Sequence, residues 1–69
     1  MIFLSIVIPH YNLPRELLSR CVQSIVEQEI APDSYEIIVV DDGSAVAPLW
    51  LPEAFPTHNI TVLQSPHAG

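Results

Sequence analysis

Two short polar clusters each follow an apolar run in this chain of 69 residues: Pro9-His10-Tyr11-Asn12 and Asp41-Asp42-Gly43-Ser44. Their residue types suit recognition of a base and its sugar. Tyr11 offers an aromatic face for stacking, worth ~1–3 kcal/mol per base in single-strand binders. A carboxylate at Asp41 or Asp42 can accept the ring N–H of a pyrimidine such as uracil. Gly43 permits backbone conformations that a Cβ resists and lets a ligand approach closely. Ser44 can cap a following turn or donate to a ribose hydroxyl, and the backbone around Pro9 and His10 supplies carbonyl acceptors.

These groups act together only if the fold delivers them to one place. Residues 3–8 are apolar and β-branched with no clean polar alternation, which predicts a strand covered on both faces as in a parallel sheet. Pro9 cannot donate to a ladder and is read as the strand's end. Pro14 suits an early helical position, with Asn12 or Leu13 as the cap. Leu17, Leu18, Cys21, Val22, Ile25 and Val26 then form an apolar stripe, with Glu16→Arg20 as a favourable i,i+4 pair on the other side. The helix should stop near Glu29, ahead of the turn signal Pro32-Asp33-Ser34. Residues 35–40 predict a second buried strand, residues 49–55 a short helical turn among Pro48, Pro52 and Pro56, and residues 60–63 a third strand, followed by a loop over residues 65–69. The fold class is α/β: a Rossmann-like βαβ unit with a third strand, its crossover right-handed. In open parallel sheets ligands bind beyond the carboxyl ends of the strands. Both polar clusters fall at that edge, so neighbouring strands would bring them together.

Composition narrows the partners. Eight carboxylates stand against Arg15 and Arg20 with no lysine, a net charge of −6. That balance offers no basic footprint for nucleic acid or for an anionic membrane. A phosphate-bearing ligand would need a metal ion, backbone amides or basic residues from elsewhere. The apolar start lacks the basic region of a signal peptide and is far shorter than the ~20 apolar residues of a membrane span. The lone Cys21 fits a reducing compartment, and the reading is a cytoplasmic chain. No GxGxxG, Walker A or GxSxG sequence is present. With 49% apolar residues and nothing after the third strand to cover the sheet's second face, exposed apolar surface is expected.

Each feature also has a purely structural reading. Asp-Asp-Gly-Ser is an ordinary way to end a strand and begin a turn, and Tyr11-Asn12 can be a turn with a helix cap. His10 reads as a loop histidine rather than a base, Cys21 as a packing residue, and Trp50 and Phe55 as packing anchors. His58 and His67 lack spaced partners for a metal.

The ordered set Ser5-Ile6-Val7-Ile8-Pro9-His10-Tyr11-Asn12, Ser24-Ile25-Val26-Glu27-Gln28 and Glu36-Ile37-Ile38-Val39-Val40-Asp41-Asp42-Gly43-Ser44 resembles the amino-terminal pattern of the inverting family 2 glycosyltransferases with the GT-A fold. The match is clear over residues 4–44 and resumes weakly at residues 60–69. The resemblance implies that residues 1–69 form part of a nucleotide-sugar-binding domain. It implies that Pro9, Tyr11 and one of Asp41 and Asp42, with Asp42 favoured, hold base and ribose of a donor, expected to be UDP-linked. Family members usually carry a small or hydroxylated residue where this chain has His10, which leaves the donor's identity more open. The family's divalent metal, manganese or magnesium, is held by an Asp-x-Asp motif further along, and its catalytic base lies in the acceptor half. Neither is found in these residues, so the chain is expected to be inactive alone. The alternative is a non-catalytic module that binds a nucleotide or a partner protein.

Overall fold

A computed structural model describes residues 4–65. The elements run β1 (Leu4–His10), α1 (Arg15–Val26), a 3₁₀ turn (Pro32–Ser34), β2 (Tyr35–Asp42), α2 (Leu51–Ala54) and β3 (Ile60–Ser65). The strands form one sheet in the order β1-β2-β3, both pairs parallel. This is the Rossmann-like βαβ unit with a third strand, as at the start of a GT-A domain. Of the loop expected over residues 65–69, Ser65 belongs to β3; residues 66–69, His67 among them, and the first residues of the apolar start lie outside the described residues.

Alternation along β2 defines the two faces. Tyr35, Ile37, Val39 and Asp41 are buried, and the residues between them are less so. Register places Ile6, Ile8 and His10 of β1 beside Ile37, Val39 and Asp41. Ile60 and Val62 of β3 stand beside Ile37 and Val39. Leu18 and Val22 of α1 and Leu51 of α2 complete a core on this face, with Trp50 and Phe55 packed against it as the expected anchors. At the strands' amino ends, Tyr35 packs with its ring centroid 6.1 Å from that of His58. The opposite face carries Val7 and Leu63, each more than half exposed. That is the apolar surface anticipated from composition.

Several boundaries differ from the sequence reading, β2 running on to Asp42 and β3 to Ser65. Pro9 does not end β1, which continues to His10. The Ile37 N–H donates to the Asn59 carbonyl on the β3 side at 2.8 Å. In a parallel ladder alternate residues bond to opposite neighbours. Ile37 therefore faces β3, its partner Ile6 bonds to β2, and so do Ile8 and His10. Pro9 turns its nitrogen away from β2, to the side of β1 that pairs with no strand among the described residues, where a missing donor costs no ladder bond. The helix begins at Arg15, with Pro14 in the cap position and no side-chain cap, so neither Asn12 nor Leu13 performs that role. It ends at Val26 rather than near Glu29, because Ile30 is the sole apolar side chain among the next four residues and is itself half exposed.

The stripe on α1 is wider than the sheet beneath it. Leu18 and Val22 are buried, but Leu17 and Cys21 lie exposed on its flank. Cys21 is therefore a surface thiol rather than a packing residue. The expected Glu16–Arg20 pair is not among the ion pairs of the described residues. Gln23 instead donates to Glu27 at 3.0 Å.

Candidate functional site

The carboxyl ends of β1 and β2 lie side by side, with His10 opposite Asp41. The two polar clusters therefore share one rim. Because successive strand residues point to opposite faces, the adjacent aspartates separate. Asp41 turns to the helix-covered face and is buried, whereas Asp42 turns to the open face and is exposed. Pro9 lies on the same face as Asp42, exposed, and Tyr11 follows the end of β1 with its ring half exposed. Tyr11, Pro9 and Asp42 are accessible at the rim; Asp41 is not.

Asp41 is occupied by the protein itself. Its Oδ1 accepts from Ser44 Oγ and lies 2.9 Å from His10 Nδ1. His10 is only 4% exposed, so it is a buried strand residue and not a loop histidine. The Ser44 hydrogen bond first, then that of His10, holds the Asp41 carboxyl below the usual carboxylate range, against the opposing effect of burial. Ser44 thus faces inward, toward Asp41, rather than presenting its hydroxyl to a ligand. Ser44 Oγ also accepts from the Asn12 N–H at 2.7 Å, while Asn12 Oδ1 accepts from the Ala45 N–H at 2.9 Å. Asn12 therefore ties the two loops together instead of capping α1. It does so at φ 49°, a left-handed conformation asparagine tolerates. Gly43 adopts φ 80°, the backbone freedom expected of it.

The serine–histidine–aspartate grouping is not a nucleophilic triad. In a triad the serine meets one ring nitrogen and the carboxylate the other. Here Ser44 and Asp41 both approach Nδ1, at 3.2 and 2.9 Å. On the far side of the rim, His10, Leu13, Arg15, Val46, Pro48 and Trp50 line a pocket of about 140 Å³. The Arg15 guanidinium sits 4.4 Å from the Trp50 ring centroid, a cation–π contact.

A divalent cation does not fit these residues. Among the described residues no group of three or more histidine, cysteine or carboxylate side chains could hold one. Asp41 and Asp42 point to opposite faces and cannot grip one ion together. Sequence reasoning missed the His10–Asp41–Ser44 bond set and the Arg15–Trp50 contact. The first was traceable: His10 shares the parity of Ile6 and Ile8, the buried side of β1.

A parallel α/β sheet with polar groups gathered at the carboxyl ends of its strands has the layout in which open α/β folds bind ligands. Comparison with known proteins then fixes the family. Residues 5–67 match the model of glycosyl transferase family 2, and the chain belongs to that family. It is also 51% identical over 41 residues to a poly(ribitol-phosphate) beta-glucosyltransferase of Bacillus spizizenii. That match covers 59% of this chain and 6% of the relative's length. Among the described residues no helix is long and apolar enough to cross a membrane.

Proposed function

We propose that this chain is the donor-nucleotide-binding portion of a glycosyltransferase that moves a sugar from a nucleotide diphosphate, UDP-linked, to an acceptor hydroxyl. The observation that supports the reading is the shared rim: parallel pairing sets His10 opposite Asp41, so Tyr11 and Asp42 follow at the same end of the sheet in a chain of this family. Tyr11 stacks on the uracil, Asp42 accepts its ring N–H, and the backbone at Pro9 contributes carbonyl acceptors beside them. Asp41, the fourth residue that sequence reasoning assigned to the nucleotide, acts from inside the sheet.

The same reading holds that these residues do not complete the reaction. The departing diphosphate must be neutralised, the main electrostatic demand of the transfer. The chain offers two arginines and no lysine, and Arg15 is engaged with Trp50. Manganese or magnesium would compensate that charge, held by ligands other than the described residues, and a base elsewhere in the enzyme would activate the acceptor. The cytoplasm is the proposed compartment. The name of the Bacillus relative makes a glucose donor and a ribitol-phosphate polymer the first substrates to try.

A second reading, a non-catalytic module docking on a partner, draws on the exposed Val7 and Leu63. Coding sequence that continues past residue 69 into an Asp-x-Asp motif would discriminate for the enzyme. The direct test is titration of UDP, with and without manganese, against this chain and a longer one. The longer chain should bind UDP and lose it on Asp42→Ala. Tight, metal-dependent UDP-sugar binding by the 69 residues alone would contradict the claim that they are incomplete.

A further inference from the structure

We propose that His10 is the positioning residue of the nucleotide rim: its Nδ1–H and the Ser44 hydroxyl clamp Asp41 inside the sheet, which leaves Asp42 as the carboxylate presented to the base. The inference rests on the nucleotide reading above.

The proton positions follow from the hydrogen-bond inventory. An ionised carboxylate only accepts, and a serine hydroxyl has one proton to give. Ser44 gives that proton to Asp41 Oδ1, and its oxygen already accepts from the Asn12 N–H. His10 Nδ1 lies 2.9 Å from the same Asp41 oxygen and 3.2 Å from Ser44 Oγ. Neither neighbour has a proton left for it, so Nδ1 must carry one and donate. In the neutral ring Nε2 is then the bare nitrogen, on a residue that lines the pocket beside Arg15 and Trp50.

The clamp spans both strand ends and the loop behind them. His10 comes from β1, Asp41 from β2 and Ser44 from the turn, and Asn12 joins that turn to the segment bearing Tyr11. Without the His10 donor, a buried Asp41 carboxylate loses one of its two side-chain partners and is driven toward solvent. Rotating Asp41 outward would turn Asp42 with it and disturb the spacing to Tyr11. The His10 ring is not itself a proposed base contact; it acts through Asp41.

The test uses the 15N-labelled 69-residue chain for ring and amide spectra and the longer chain, with UDP as the probe, for affinity. Ring-nitrogen spectra should show Nδ1 protonated and Nε2 bare in the neutral imidazole. His10→Asn, whose amide N–H can replace Nδ1–H, should bind UDP within about threefold of the parent, while His10→Ala should weaken it about tenfold, the effect of losing one charge-assisted bond. His10→Ala should also shift the amides of residues 43–45, and His10→Asn should restore them. Should His10→Ala fail to fold, the ring spectra and His10→Asn still decide. An unprotonated Nδ1 would overturn the inference, as would a folded His10→Ala with parental UDP affinity and unmoved amides at residues 43–45. If the longer chain binds no UDP, or its Asp42→Ala form binds it equally, the nucleotide reading falls instead, and the ring and amide signatures still judge the clamp.

Discussion

Asp41→Ala should destabilise the chain more at neutral pH than in acid. The side chain accepts two hydrogen bonds, from Ser44 Oγ and His10 Nδ1, and both Asp41 and His10 are nearly fully buried. Hydrogen bonds to charged groups contribute about 1.5–3 kcal/mol each. Sharing one oxygen, they will not add fully, so about 3 kcal/mol is expected. A chain of this length holds about 3–10 kcal/mol in total at ordinary per-residue stability, so the loss is a large share. The folded-state pKa of Asp41 is lowered from 3.8. The carboxylate's contribution is therefore complete above the unfolded value and fades as pH falls through the lower folded one. Urea unfolding, followed by far-UV circular dichroism and Trp50 fluorescence, measures the gap between parent and variant at each pH. The gap should narrow as pH falls through the folded pKa, since only the part tied to ionisation is lost. A gap that stays constant into acid, or is absent at neutral pH, would refute the account of Asp41 as an internal carboxylate held by its partners.

Four further outcomes follow from other residues. Gly43→Ala, forced to φ 80°, should lower stability by about 1–2 kcal/mol in the same urea assay. Leu51→Ala, at a fully buried core position, should cost about 2–5 kcal/mol and broaden or abolish the unfolding transition. Tyr35→Phe removes a buried hydroxyl with no hydrogen-bond partner among the described residues and should leave the urea midpoint unchanged or raise it. Cys21 is exposed, so a thiol reagent should titrate one equivalent without denaturant; a thiol that reacts only after unfolding would restore the packing assignment.

The strands and crossover helix were legible because burial writes itself into residue type: the run Ile37-Ile38-Val39-Val40 and the α1 stripe left little choice. The rim was legible for the same reason, since parallel strands must end their apolar runs together. What sequence could not show was hydrogen-bond economy. Asn12 and Ser44 each satisfy several rules for caps and turns, and only the approach of the two loops decides which group each serves. Pro9 was misread because its effect depends on which neighbour its nitrogen faces. His10 was misjudged by counting it with the loop, although one step of strand parity places it inside. Cys21 shows the reverse error, an apolar stripe assumed to be covered across its full width.

The outward-facing nitrogen of Pro9 has an architectural consequence. Any strand that anneals along the outer margin of β1, whether a later segment of the same polypeptide or a foreign one, meets a position with no proton to offer. Its zipper of main-chain bonds must stall or buckle one residue short of the strand's tip. The sheet can thus grow sideways without walling over Tyr11 and Asp42, and a proline that looked like a stop sign holds the doorway open.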